Sequence, residues 1–312
     1  GCSDGPFRDI TVTVNPTPLL NSTLTPAAIC SGSTFGYTAT SATAGATFSW
    51  SRSTIIGIAQ PGTTGAVAAV SEVLTNTTAA PINVTYVYTI TANGCVNTNN
   101  VVVTVNPIPV LSSTLTPPAI CSGSAINYTA TSATVGATFA WTRAAVAGIT
   151  EATTGGPGNV SEVLTNTTTA PINVTYVYTT TANGCSNTPQ NVVVVVNPIP
   201  VLNSTLTPAA ICSGSAFNYT ATSSTVGATF AWSRAAIGGI TQAATAGVGA
   251  TVSEVLTNTT TAPINVTYVY IITANGCVNT NSVVVIVNPT PVLNSTLAPP
   301  AICSGTTFSY IA

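Results

Sequence analysis

Residues 84–107 read VTYVYTITANGCVNTNNVVVTVNP. From Val84 to Ile90 apolar and aromatic residues alternate with polar ones, the period-two pattern of a strand with one buried face. Asn93-Gly94-Cys95 marks a turn, and Val101–Val105 forms a second strand that ends at Asn106-Pro107. Working outward, Ser33–Thr40 places Phe35, Tyr37 and Ala39 on one face and Thr34, Gly36 and Thr38 on the other. Ile126, Tyr128 and Ala130 stand in the same way against Asn127 and Thr129. Thr47–Arg52 puts Phe48 and Trp50 together, opposite Thr47, Ser49 and Ser51, and Val70–Thr75 adds a further strand. Gly, Pro, Ser and Asn fill the gaps, and no helical periodicity intervenes. About seven short strands, a Trp on the third and a Tyr-rich penultimate strand predict an all-β immunoglobulin-like sandwich.

The stretch recurs. Asn15-Pro16 returns at Asn106-Pro107, Asn197-Pro198 and Asn288-Pro289; Cys30 returns at Cys121, Cys212 and Cys303; Trp50 returns at Trp141 and Trp232; every interval is 91 residues. Solenoid units span only about 20–50 residues, so this period predicts tandem whole domains in an elongated array. The expected boundaries are the end of a preceding repeat at 1–16, full repeats at 17–107, 108–198 and 199–289, and the start of a following repeat at 290–312. Gly1-Cys2 aligns with Gly94-Cys95, as expected for an excerpt of a longer repetitive chain.

Composition excludes several functions. The 312 residues are 45% hydrophobic and only 3% charged, with net charge -2 and no His or Met. Mean hydropathy is +0.49, yet apolar runs such as Val192–Val196 fall far short of the roughly 20 residues of a spanning helix, so no membrane insertion is expected in this segment. Arg8, Arg52, Arg143 and Arg234 are the only cations, too few for a nucleic-acid surface. Without His or Lys no side chain serves as a base near neutrality. A glycosidase needs two carboxylates in one cleft, whereas each repeat has one recurring acid, Glu72, Glu162 or Glu254, plus the unrepeated Glu151. No enzyme, catalytic residue, cofactor or metal site is expected. One acid per repeat cannot ligate calcium, and the absence of lysine removes any Lys-Asn isopeptide crosslink.

Arg52, Arg143 and Arg234 each stand two residues after a Trp, on the core-facing parity of their strand, and Glu72, Glu162 and Glu254 share parity with Leu74, Leu164 and Leu256. The residues favour a partly buried Arg–Glu pair at the sandwich rim over a ligand-binding Arg. The same alternation assigns Trp50, Trp141 and Trp232 to the core rather than to a sugar-stacking face. Asn21, Asn76, Asn83 and Asn127 lie in Asn-X-Ser/Thr sequons, which arise by chance in so Thr-rich a chain.

Ile29-Cys30-Ser31-Gly32, Phe48-Ser49-Trp50, Tyr86-Val87-Tyr88, Ala92-Asn93-Gly94-Cys95 and Val105-Asn106-Pro107 together resemble the PKD-like and Ig-like repeats of giant Bacteroidetes surface proteins. The resemblance implies an extracellular, cell-surface setting, export by the type IX system, and adhesin or gliding-motility relatives. Many PKD-type modules carry acidic loops; here Asp occurs only at Asp4 and Asp9, which counts against a loop metal site.

In a chain with that resemblance, the eight cysteines read as disulfides of an oxidising compartment. Two pairings stay open. Within repeats, Cys30 would join Cys95, Cys121 would join Cys185 and Cys212 would join Cys277, leaving Cys2 and Cys303. In an Ig-like topology, however, those positions lie at opposite ends of a sandwich about 25 Å long, beyond the reach of about 7 Å between Cα atoms. Between repeats, Cys30 would join Cys185 and Cys121 would join Cys277, with Cys2 and Cys95 directed upstream and Cys212 and Cys303 downstream.

The expected function is structural or adhesive: an extracellular stalk or filament on a bacterial surface, able to self-associate or pack beside neighbouring chains because burial of its surface desolvates few ions. The alternative is a carbohydrate-binding or spacer array of a secreted enzyme. It predicts exposed loop aromatics, and the variable segments 53–69, 144–160 and 235–252 have none. Ice binding by flat Thr arrays is a distant third, since the Thr clusters recur every 91 residues instead of stacking in coils.

Overall fold

The computed structural model describes Gly5 and residues 8–311; Cys2 lies outside them. The first domain has seven strands: β1 (Ile29–Cys30), β2 (Ser33–Thr38), β3 (Thr47–Arg52), β4 (Thr63–Gly65), β5 (Ala69–Leu74), β6 (Ile82–Ala92) and β7 (Cys95–Asn106). They form a five-stranded sheet, β1-β7-β6-β3-β4, and a two-stranded sheet, β2-β5. The closing strand β1 runs parallel to β7, with Cys30 opposite Asn106. Phe35, Tyr37, Val70 and Leu74 from the small sheet meet Val84, Tyr86, Tyr88, Val101, Val103 and Val105 from the large one in a single core. The alternation read from sequence is the alternation that is buried.

The second domain comprises β8 (Ile120–Cys121), β9 (Ser124–Tyr128), β10 (Thr138–Arg143), β11 (Thr154–Pro157), β12 (Val160–Leu164), β13 (Ile172–Ala182), β14 (Cys185–Ser186) and β15 (Gln190–Asn197). The third repeats the first as β16 (Ile211–Cys212), β17 (Ser215–Thr220), β18 (Thr229–Arg234), β19 (Thr245–Val248), β20 (Thr251–Leu256), β21 (Ile264–Ala274) and β22 (Cys277–Asn288). The eighth strand of the middle domain has a local cause. Pro189 carries no amide hydrogen and the register shifts by one residue between the Ala182–Cys185 and Tyr178–Gln190 pairs, so the last strand, continuous in β7 and β22, breaks into β14 and β15. Asn187 fills the gap, its Oδ1 accepting the Thr180 amide at 2.7 Å.

The hairpin after the long strand is tighter and longer-armed than the spacing of valines suggests. Ala92 pairs directly with Cys95 and the ladder continues to Ile82–Val105. The two loop residues both have positive φ, 49° at Asn93 and 79° at Gly94, and Asn183-Gly184 and Asn275-Gly276 match them. Asn and Gly tolerate this left-handed backbone, and such a turn follows the natural twist of the paired strands. Each domain thus projects a two-residue tip with Cys as its next residue. No helix occurs among the described residues.

Candidate functional site

Two constructions stand out: a charge knot inside every sandwich and a disulfide clamp at the tips of the second and third domains. In the knot, β3 carries Arg52 inward until its side chain is fully buried, and β5 supplies Glu72. Arg52 Nε donates to Glu72 Oε2 at 3.0 Å and Nη2 donates to Oε1, a bidentate fork. The remaining donors turn to backbone carbonyls: Nη1 to Ser53 and Gln60, Nη2 to Pro61 at 2.6 Å. All five guanidinium hydrogens therefore have acceptors, the condition under which a buried charge is tolerable. Arg143 with Glu162 and Arg234 with Glu254 repeat the fork, with Nη2–Oε1 at 2.6 and 2.5 Å.

The sequence brought the right partners together but placed them at the rim. The arginines are buried instead, because the segment after each Arg strand folds back over the guanidinium. That segment is the variable one, and its variability is compatible with the contact because it offers carbonyls that any residue carries. The third member of the knot was missed: Tyr86, Tyr176 and Tyr268 donate their hydroxyls to Glu72, Glu162 and Glu254 at 2.5, 2.7 and 2.6 Å. The signal was available, since each of these tyrosines stands 14 residues after its Glu.

Protonation follows from this packing. Burial, then the hydrogen bond to Glu72 and its negative charge, push the Tyr86 phenol far above its ordinary value. Tyr88, Tyr178 and Tyr270 are pushed up to about 12, first by burial and then by a neighbouring tyrosine. Burial opposes ionisation of Glu254, but hydrogen bonds from Arg234 and Tyr268 and the Arg234 charge outweigh it, so its carboxyl sits below the usual range.

The tryptophans require a correction. Trp50, Trp141 and Trp232 pack against the core but are half-buried. Each lies on the strand next to the edge strand and faces a glycine of that short edge strand, Trp50 opposite Gly65 and Trp232 opposite Gly247. A Cβ on either glycine would come within 2.6 Å of the indole, so the ring occupies the space over the glycine instead of turning wholly inward. Asn76, one of the sequon residues, is also committed to the interior: its Nδ2 donates to Ala80 O and Val105 O, both at 2.8 Å.

At the junctions the tip of one domain meets the start of the preceding one. Cys30 is joined to Cys185 and Cys121 to Cys277, with Cα separations of 5.6 and 5.7 Å. Of the two pairings the sequence left open, the structure contains the one between domains. Cys95, Cys212 and Cys303 are free among the described residues. A second contact accompanies each bridge. Asn106 of the Asn-Pro linker donates its amide to the Asn183 carbonyl at 2.9 Å, and Asn197 donates to Asn275 at 2.8 Å. Asn15 makes the same bond to Asn93. No cluster of three potential metal ligands exists among the described residues.

The model of the PKD-like domain matches residues 27–109, 118–200 and 209–291. The chain is a tandem array of immunoglobulin-like domains, and it belongs to the PKD-like domain family. No curated protein matches it. Among solved structures it is similar to the I-band fragment I67–I69 of titin, at 12% identity over 89% of this chain and 100% of that one, with a TM-score of 0.45. It is also similar to the N-terminal eight Ig domains of Down Syndrome Cell Adhesion Molecule (13% identity, 89% and 37% covered, TM-score 0.42) and to extracellular domains 3–5 of Drosophila OTK (9%, 86% and 94%, 0.33).

Proposed function

We propose that this chain is a load-bearing segment of an extracellular stalk or filament on a bacterial surface, of the Bacteroidetes type its motifs resemble. The observation that carries the reading is the pair of disulfides that fasten each domain to the next. A bridge within a domain stabilises that domain alone; a bridge across a junction serves an assembly whose domains must not separate, and it persists only in an oxidising compartment. The surface supports the same reading. Within the three domains every Arg is buried against its Glu, and the remaining acid, Glu151, accepts the Thr165 amide and the Thr150 hydroxyl. What faces solvent is largely uncharged, so lateral packing against neighbouring chains would desolvate few ions.

Immunogold labelling of intact cells of the native host tests this. Gold is expected along external fibres or stalks, and label confined to the cell interior would refute the proposal.

A further inference from the structure

The two bridges overlap. Cys30–Cys185 spans a sequence separation of 155 and Cys121–Cys277 one of 156, and residues 121–185 belong to both closed loops. The shortest covalent route along the array therefore does not follow the chain. It runs to Cys30, crosses to Cys185, returns backward through the middle domain to Cys121, crosses to Cys277 and continues to the end. Both proline linkers, at Asn106-Pro107 and Asn197-Pro198, lie on side branches of this route.

We infer that tension along the array is carried by the bridges and by the interior of the domain bridged on both sides, while the proline linkers are shielded from it. The placement of the cysteines suits this. Cys185 follows the hairpin tip and pairs with Ala182. Cys121 pairs with Asn197 at the far end of β15. Between these ends β13 runs from Ile172 to Ala182, so load enters and leaves at points separated by about 30 Å along the strand direction. Force along the strands is resisted by many ladder hydrogen bonds together instead of one at a time. The middle domain can release only the residues between its own two cysteines, and neighbours cannot part by stretching a linker.

This deepens the load-bearing reading, but its test is covalent and needs no ligand or host, so a chain that bound nothing could still pass it. The whole chain is tethered by its ends and pulled to full extension. About 130 residues lie on the route, so the oxidised chain should stop near 450 Å and the reduced chain near 1,100 Å. Cys30→Ser should lengthen the oxidised limit by only about 100 Å, because the second bridge still shortens the route. The inference is overturned if the oxidised chain reaches the reduced length. It is equally overturned if Cys30→Ser adds about 230 Å, the gain expected of a bridge closed within the first domain. Chain length is read whether or not the variant folds.

Discussion

The charge knot and the junction clamp both recur along the sequence but solve opposite problems. Arg143 and Glu162 sit inside one sandwich, on strands whose inward parity was already visible, and their environment is fixed by the same burial that forms the core. Cys121 and Cys277 sit on two different domains and meet only because β8 ends where the tip of the third domain arrives. The first construction stabilises a domain; the second relates domains. Perturbations of the two should therefore separate in measurement.

The broadest expected effect is alkaline. Because the buried phenols titrate higher in the folded chain than in the unfolded one, their contribution is fully present below the unfolded value of about 10 and is lost as pH rises through the folded values. All three domains should lose stability between about pH 10 and 12, as Tyr88, Tyr178 and Tyr270 reach the value of about 12. Tyrosinate absorbance should appear together with loss of the β-sheet signal in circular dichroism. Absorbance rising to completion with the fold intact would contradict the burial of these phenols.

Next in size is Arg143→Ala, which leaves Glu162 without its counter-ion and should cost the middle domain about 3–5 kcal/mol. Calorimetry should show one transition lowered while the Cys121–Cys277 peptide survives in non-reducing mass spectrometry. Cys121→Ser should act at the junction instead, leaving the Arg143–Glu162 pair in place. About 2–4 kcal/mol is expected from loss of the covalent constraint, and small-angle scattering should show a wider distribution of angles between the second and third domains. Smallest is Asn197→Ala, which removes one amide-to-carbonyl bond worth about 0.5–1.5 kcal/mol. Its effect should be hidden while the bridge is closed and emerge, again by scattering, in the Cys121→Ser background. An equal effect in both backgrounds would show that the two halves of the clamp act independently.

Local periodicity determined much of this protein. Alternating Phe35, Tyr37 and Ala39, the Tyr86-Val87-Tyr88 strand and the exact recurrence of Asn-Pro, Cys and Trp specify an all-β unit and its repetition, because strand faces and domain periods are properties of neighbouring residues. The inward parity of Arg52 and Glu72 was likewise legible. What required tertiary structure was everything depending on a distant backbone. The carbonyls of Ser53, Gln60 and Pro61 that complete the guanidinium shell have no side-chain signature. The half-burial of Trp50 depends on Gly65 across the sheet. For the cysteines, strand geometry favoured the pairing between repeats without settling it, because the sequence does not place one sandwich against the next. Only the placement of successive sandwiches brings Cys30 within bonding distance of Cys185, and a disulfide forms where Cα atoms approach, however far apart they lie in the chain.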